Sequence, residues 1–409
     1  MDFNDTPAEA EFRAEARDWL ASQAPKREPG QSYEVRRGDD ALVPHAKEWQ
    51  AKKFEAGFAG INLPKEYGGR GATRIEQIIF GQEEATFVTP PTIFGISHGM
   101  VVPTLLAYAT EEQKQKFVPA TLKGDEVWCQ LFSEPGGGSD LAGLRTRSER
   151  DGDEWTINGQ KIWTSGAHYA DRGVLVTRSD AGVEKHKGLT YFFLDMKSPG
   201  IDIRPIKQIS GASNFNEVFF ADVRIPDSQR LGKEGEGWRV ALTTLMNERV
   251  ETGVRPAPDF DDIFALARNL PIEDGPAIAD EAIREQLADW YIQTQGVKLT
   301  RLRTMTALSR GQQPGPENSI AKVVTSSKRQ RIAHFGMDLM DMGGMMRNRD
   351  ATPMQALFQD AMLDSPGNRI AAGTDEILRN VIGERVLGLP REIRVDKDKP
   401  FSDLAALEK

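Results

Sequence analysis

Residues 128–166 read WCQLFSEPGGGSDLAGLRTRSERDGDEWTINGQKIWTSG. This stretch contains the tightest run of residues that ordinary core building does not require. Its apolar start, 128–132, predicts a buried strand, which Ser133, Glu134 and Pro135 end. Gly136, Gly137 and Gly138 then permit backbone conformations closed to other residues. Such a loop can aim several N–H groups at one anion. Ser139 adds a hydroxyl donor and Asp140 an acceptor, so the segment suits a pyrophosphate or a polar ligand edge beyond a strand end. A plain glycine turn accounts for the same three glycines.

Downstream, Trp155-Thr156-Ile157, Asn158-Gly159 and Lys161-Ile162-Trp163-Thr164 read as strand, two-residue turn and strand; the Asn-Gly pair favours a type I′ hairpin that carries Trp163 toward the glycine loop. By residue type alone Trp163 is a core tryptophan. SEPGGGSDLAG followed by NGQKIWTSG resembles the flavin-binding β-domain of the acyl-CoA dehydrogenase family. The resemblance implies FAD as cofactor. It implies contacts from Gln130, Leu131, Phe132, Ser133, Gly138 and Ser139 at the first strand and loop, and from Trp163, Thr164 and Ser165 at the second. It also implies that the Trp163 indole packs against the isoalloxazine and that Ser139 lies beside an acyl-CoA substrate.

At 409 residues the chain has room for two or three domains. Its 52 basic and 61 acidic residues leave a charge of −9, and no Lys/Arg run is dense enough for a nucleic-acid surface, so nucleic acid is excluded as a partner. A single cysteine, Cys129, rules out an intramolecular disulfide and a Cys-cluster metal site; it suits a reducing cytosol and a role as a small buried hydrophobe. His45, His98, His168, His186 and His334 never fall at a spacing that sets two imidazoles on one helix face, and no metal is expected. The acidic start lacks the apolar core of a signal peptide, and no apolar run reaches about 18 residues. The expectation is a soluble, cytoplasmic protein without a membrane span.

Thr6-Pro7-Ala8-Glu9 is a capping box with proline at the first helical position, and the helix it opens carries Phe12, Ala16, Trp19 and Leu20 on one face. Further helices are expected at 44–56, 75–85, 92–108 and 111–122. Short β-rich runs follow at 174–177, 189–195, 201–205 and 217–223. Helices return from 237, at 278–308, at 320–340 and at 374–388. The fold class is α+β: an N-terminal all-α domain at 1–126, a middle β-barrel or sandwich domain at 127–235 and a C-terminal four-helix bundle at 236–409. The resemblance implies the same order.

In 238–250, WRVALTTLMNERV, Glu248 lies seven residues after Ala241 and three after Leu245; at about 100° per residue it falls beside both, on an apolar stripe. A partly desolvated carboxylate has a raised pKa and is a competent base near neutrality. A solvated place at the stripe's border, next to Arg249, is the other reading. The family's commonest form has its catalytic glutamate in a Tyr-Glu-Gly-Thr sequence, where this chain has Ala371-Ala372-Gly373-Thr374. Other branches put it on the first helix of the last domain, a position matched by Asn247-Glu248-Arg249.

The resemblance therefore implies Glu248 as the base, with Arg249, Ala372 and Gly373 at the substrate. The Ala372 N–H remains able to polarise the thioester carbonyl. It further places Thr374, Glu376 and the pair Gly343-Gly344 at FAD; the acidic Asp375 and Glu376 also suit the positive first turn of a helix. The Arg-x-x-Phe-Gly loop common in the family is missing from 253–279. The activity implied is α,β-desaturation of an acyl-CoA thioester, with hydride passing to flavin N5 and electrons to an electron-transferring flavoprotein. The setting is fatty-acid or lipid catabolism by β-oxidation, the assembly a homotetramer or dimer. A non-catalytic subunit of a heteromer, or oxidase or desulfinase chemistry on the same thioester, are the alternatives.

Overall fold

The structure, a computed structural model, describes residues 5–28, 31, 33–35, 39–248, 257–273, 275–309, 315–393, 396 and 398–407. Its helices are α1 (Pro7–Gln23), α2 (Leu42–Glu55), α3 (Arg74–Glu84), α4 (Val102–Tyr108), α5 (Glu111–Lys123), α6 (Gly237–Glu248), α7 (Phe260–Asn269), α8 (Glu281–Ser309), α9 (Asn318–Leu339), α10 (Leu357–Asn368), α11 (Asp375–Val381) and α12 (Phe401–Leu407). The strands β1 (Trp128–Leu131), β2 (Arg147–Asp151), β3 (Glu154–Ser165), β4 (Arg172–Arg178), β5 (Leu189–Asp195), β6 (Ile201–Ile206) and β7 (Phe215–Pro226) form one sheet. The order is thus helical, then β, then helical, in an α+β fold. The chain divides into two compact units, one of 1–33, 74–89 and 252–391, the other of 34–73, 90–251 and 392–409. Among the described residues no helix is long and apolar enough to cross a membrane.

The second unit is built on the sheet, ordered β1-β4-β2-β3-β7-β6 with β5 on the other flank of β4. Alternate side chains of a strand face opposite ways, and here both faces are covered. Tyr191 and Phe193 of β5 join Phe117, Trp128, Val240 and Ala241 in a core shared with α4, α5 and α6. Phe192 and Leu194 point the other way, into a core with Leu131, Trp155, Ile157, Val223 and Ile225. That is why the middles of β4 and β5, 174–176 and 191–194, are apolar without alternation. Cys129 lies wholly buried in the latter core with Sγ 3.6 Å from Met196 Sδ, and burial pushes its thiol up to about 12.

The Asn158-Gly159 hairpin does not form. β3 runs through both residues, and the turn belongs to Gly152 and Asp153, between Asp151 and Glu154, which pair as β2 meets β3. Asn158 sits where the register with β7 skips and exchanges two 3.0 Å hydrogen bonds with Asp222, through its side chain to the Asp222 carboxylate and amide. A Cβ on Gly159 would stand 2.7 Å from Thr146 Cα. The Asn-Gly pair thus marks a bulge, set by pairing with a distant strand, rather than a turn.

In the first unit, α1 packs on α3 through Phe12, Ala16, Leu20, Ile79 and Phe80. Both bonds of the capping box form, Thr6 N to Glu9 at 2.7 Å and Glu9 N to Thr6 at 3.3 Å. Here α9 packs against α7, α8, α10 and α11, around Ile263, Leu266, Trp290, Ile332 and Phe358. Two expected helices differ. The helix expected from residue 92 begins at Gly95, after the Thr92 hydroxyl has accepted the Phe94 amide at 3.0 Å, and widens over Ser97–Val101 before α4. The last helix passes from α11 into a second wide turn at Ile382–Val386, leaving Ile377 and Val386 exposed in the single chain.

Candidate active site

β1 delivers the chain into a closed turn: Glu134 N donates to Gly137 O at 2.9 Å and Gly137 N to Glu134 O at 3.0 Å. None of Gly136, Gly137 and Gly138 takes a positive φ, and a Cβ at 136 or 138 would meet nothing within 4 Å. The glycine run is therefore not a nest of outward amides, as its composition suggests. The loop is held by a carboxylate turned inward. Glu134 accepts from Arg145 N at 2.6 Å, Thr146 N at 2.9 Å and Lys161 Nζ at 2.8 Å, and Lys161, wholly buried, also donates to Phe132 O at 3.0 Å. Burial alone would raise the Glu134 carboxyl, but Lys161 and the amides outweigh it and hold it below the usual carboxylate range.

The far side of the loop is held by two more cations. Arg178 donates to the carbonyls of Ala142, Leu144 and Lys185, and burial pushes its guanidinium down to about 10. Lys185 Nζ holds Asp140 at 2.9 Å. Ser139, between these supports, is exposed.

Ile162 N donates to Ser133 O at 2.9 Å and seats β3 beside the loop, so the two segments expected at FAD, Gln130 to Ser139 and Trp163 to Ser165, do come together. Counting by twos from buried Trp155 and Ile157 puts both Lys161 and Trp163 inward. Lys161 obeys. Trp163 has a left-handed backbone, φ 59°, which reverses the alternation: Thr164 is buried, and Trp163 is 56 % exposed with the Phe215 ring edge-on at 6.1 Å. Trp163 is thus no core tryptophan. The Thr164 hydroxyl, buried, finds no hydrogen-bond partner among the described residues. A bare aromatic face on strained backbone beside an unsatisfied buried hydroxyl fits a planar heteroaromatic group with a polar edge, such as an isoalloxazine.

On the same unit, α6 is pinned by Thr244, whose hydroxyl lies 2.9 Å from both Thr104 Oγ1 and Tyr191 OH. Val240 and Ala241 are buried with it and Leu245 partly so. The helix ends at Glu248. The Glu248 side chain and all of Arg249 lie outside the described residues.

In the first unit the 370–374 loop is strained at Ala372, φ 56°, and turns on at Gly373, φ 87°, where glycine adopts positive φ without strain; Thr374 then caps α11 through its hydroxyl, 3.2 Å from Ile377 N. The Ala372 N–H makes no hydrogen bond among the described residues. Lys322 on α9 donates to Gly373 O at 2.7 Å. Asp375, 1 % exposed, pairs with Arg369 at 2.7 Å and Lys322 at 3.4 Å. Its place in the first turn is therefore explained by ion pairing that fastens the loop, while Glu376 is exposed. Gly343 and Gly344 lie in the turn Asp341–Met345 that follows α9, and a Cβ on Gly344 would stand 2.1 Å from Met337 O, so close backbone packing requires glycine there.

Sequence reasoning missed Glu134, Lys161, Arg178 and the pairing of Asp375. Lys161 carried a signal: a lysine in the inward phase of a strand demands a buried carboxylate.

Models of the N-terminal, middle and C-terminal domains of acyl-CoA dehydrogenase match residues 6–125, 129–223 and 235–387. The chain is 36% identical over 411 residues to acyl-CoA dehydrogenase IpdE1 of Mycolicibacterium smegmatis, covering 94% of this chain and 98% of that protein. It is 39% identical over 355 residues to acyl-CoA dehydrogenase FadE34 of Mycobacterium tuberculosis, covering 86% of this chain but only 47% of that protein, so it spans about half the length of this relative. The solved structure named Tcur3481-Tcur3483 steroid ACAD superposes with a TM-score of 0.81 at 29% identity, over 96% of this chain and 100% of that one.

Proposed function

The chain belongs to the acyl-CoA dehydrogenase family, one of FAD-dependent oxidoreductases, and we propose that it desaturates an acyl-CoA thioester between Cα and Cβ, with Glu248 as the base. The observation that carries the reading is Trp163, an exposed indole on left-handed backbone next to the orphaned Thr164 hydroxyl. These residues would hold FAD together with Gln130 to Ser133, Gly138, Ser139 and Ser165; Gly343, Gly344, Thr374 and Glu376 are proposed as further FAD contacts. The chemistry supplied by a bound FAD would be that of a hydride acceptor.

The chain's own residues supply the rest. Glu248 removes the α-proton; it follows buried Thr244 by one helical turn and buried Ala241 by two, on a helix pinned to β5. The Ala372 N–H donates to the thioester carbonyl and stabilises the charge that develops on it. Ser139, Arg249 and Gly373 contact the substrate. The steroid-named relative supports a ring-bearing acyl group drawn from lipid catabolism, and an electron-transferring flavoprotein is the proposed acceptor. Exposed Met342, Met345, Ile370, Leu387 and Leu389 support a dimer or tetramer. A heteromer with a second family subunit is the second reading, favoured by the two-part name of the same relative.

The test is purification, flavin quantitation and anaerobic titration with straight, branched and steroid-ring acyl-CoA thioesters. Bleaching of bound flavin by one class is expected. A folded protein that takes up no flavin from excess FAD would overturn the reading.

A further inference from the structure

The two cations that hold the Ser139 loop are themselves held from behind. The ring of Phe401, at the start of α12, lies 3.6 Å from the Arg178 guanidinium carbon. Arg178 is the side chain that grips the Ala142 and Leu144 carbonyls. Asp396 pairs with Lys185, the side chain that grips Asp140. Backbone bonds fix this docking: Phe401 N donates to Val183 O at 2.8 Å, Ser402 N to Ala181 O at 2.9 Å, and Pro400 bridges Glu184. Phe401 is buried although α12 is short.

We propose that Phe401 and Asp396 are positioning residues for the 139–144 loop, acting through Arg178 and Lys185, so that this distant segment of the chain sets how well Ser139 meets the acyl-CoA. Arg178 hydrogen-bonds to carbonyl oxygens, and the π face of Phe401 supplies electron density against its guanidinium in a desolvated place. Without that ring the guanidinium is free to swing toward water, releasing the carbonyls at 142 and 144. Without Asp396, Lys185 keeps Asp140 but loses its second anchor. The inference rests on the reading that Ser139 contacts substrate.

The experiment uses the full-length FAD-loaded protein with Phe401→Ala, Asp396→Asn, Phe401→Tyr and Ser139→Ala. Amide hydrogen exchange across 139–144 and the calorimetric Kd for coenzyme A are the readouts. Phe401→Ala is expected to speed exchange at 139–144, leave β1 and β3 protected, keep its flavin, and weaken coenzyme A by about tenfold, the scale of one net hydrogen bond. Asp396→Asn should move both readouts the same way to a smaller extent, and Phe401→Tyr, which keeps the ring, should restore them. If Ser139→Ala weakens coenzyme A while Phe401→Ala and Asp396→Asn leave exchange and Kd at wild-type values, the positioning role is overturned and the Ser139 reading stands. If Ser139→Ala leaves Kd unchanged, the substrate reading of that loop fails, and this inference with it.

Discussion

Lys161 and Glu134 meet at 2.8 Å, and the Lys161 side chain has no exposed surface. Through Phe132 O, the Arg145 and Thr146 amides and this pair, three segments are tied at one point: the end of β1, the loop that carries Ser139, and the strand that carries Trp163. The polar cluster is what aligns two stretches of sequence some thirty residues apart.

Lys161→Met should be among the most destabilising single substitutions in the β unit. It leaves Glu134 buried with its amides but no countercharge, and breaking one side of a buried pair costs about 3–5 kcal/mol. Adding Glu134→Gln removes the stranded charge, so the double variant should be more stable than Lys161→Met alone. Urea denaturation of the three proteins checks this; a double variant weaker than the single one would mean the pair matters for its hydrogen bonds and not for its charge.

Acid stability should carry the signature of His98. Its Nε2 lies 2.9 Å from Thr121 O, which can only accept, so Nε2 carries the proton of the neutral ring; the ring face stacks on Phe94 with centroids 5.2 Å apart. Burial pushes its pKa from 6.5 down to about 4. A depressed folded pKa means the unfolded chain takes up the proton first. The contribution is therefore complete above pH 6.5 and lost as pH falls from 6.5 to 4, at about 1.4 kcal/mol per pH unit and roughly 3 kcal/mol across the window. His98→Gln, which keeps an N–H donor and does not titrate, should show a flatter loss of stability over that window. Parallel curves for the two proteins would remove His98 from the account.

How much of this could be read beforehand differs by kind of residue. β4 and β5 announced themselves, since strands buried on both faces carry apolar residues in succession, here at 174–176 and 191–194. The capping box at Thr6 and Glu9 did too, because every atom it needs lies within four residues. Trp163 did not: its exposure depends on a single left-handed residue that reverses the strand's alternation, and nothing in the side chain demands that conformation. Asn158-Gly159 marked irregular backbone, but the partner that makes it a bulge is Asp222, sixty-four residues on. The glycine run misled in the opposite sense, since its residues adopt backbone that other residues tolerate while the anchoring falls to Glu134. Pairings at such separation are invisible to any local pattern.

Asp375 and Glu376 are adjacent acids in one helical turn, and their replacement separates two physical effects. Glu376→Gln removes an exposed charge that acts on the helix dipole and on the Lys322 ammonium, and in the flavin-free protein should cost under about 1 kcal/mol. Asp375→Asn strips charge from bonds to Arg369 and Lys322 and leaves two cations facing a neutral amide, so a loss of about 2 kcal/mol is expected. Thermal melts of the two variants decide it. Equal, small losses would return Asp375 to the dipole explanation. Because Lys322 also grips Gly373 O, Asp375→Asn should loosen the loop at Ala372 as well, read as faster amide exchange at 371–374.

Glu248→Gln is expected to fold, keep its flavin and bind coenzyme A as the parent does, yet bleach the flavin with acyl-CoA about 10² to 10⁴ times more slowly. Glutamine preserves size and much of the hydrogen bonding but accepts no proton near neutrality, so binding and chemistry separate. Glu248→Asp retains a carboxylate on a stem one methylene shorter and should fall between the two, because a base must reach its proton within hydrogen-bond distance. Stopped-flow reduction of the three proteins with the best acyl-CoA of the panel gives the order. If Glu248→Gln reduces flavin at close to the parent rate, the base lies elsewhere, and the exposed Glu376 near strained Ala372 is the next carboxylate to replace. A Glu248→Gln protein that has also lost coenzyme A binding would point instead to a structural role for the last turn of α6, a turn anchored from beneath by Thr244 and Tyr191.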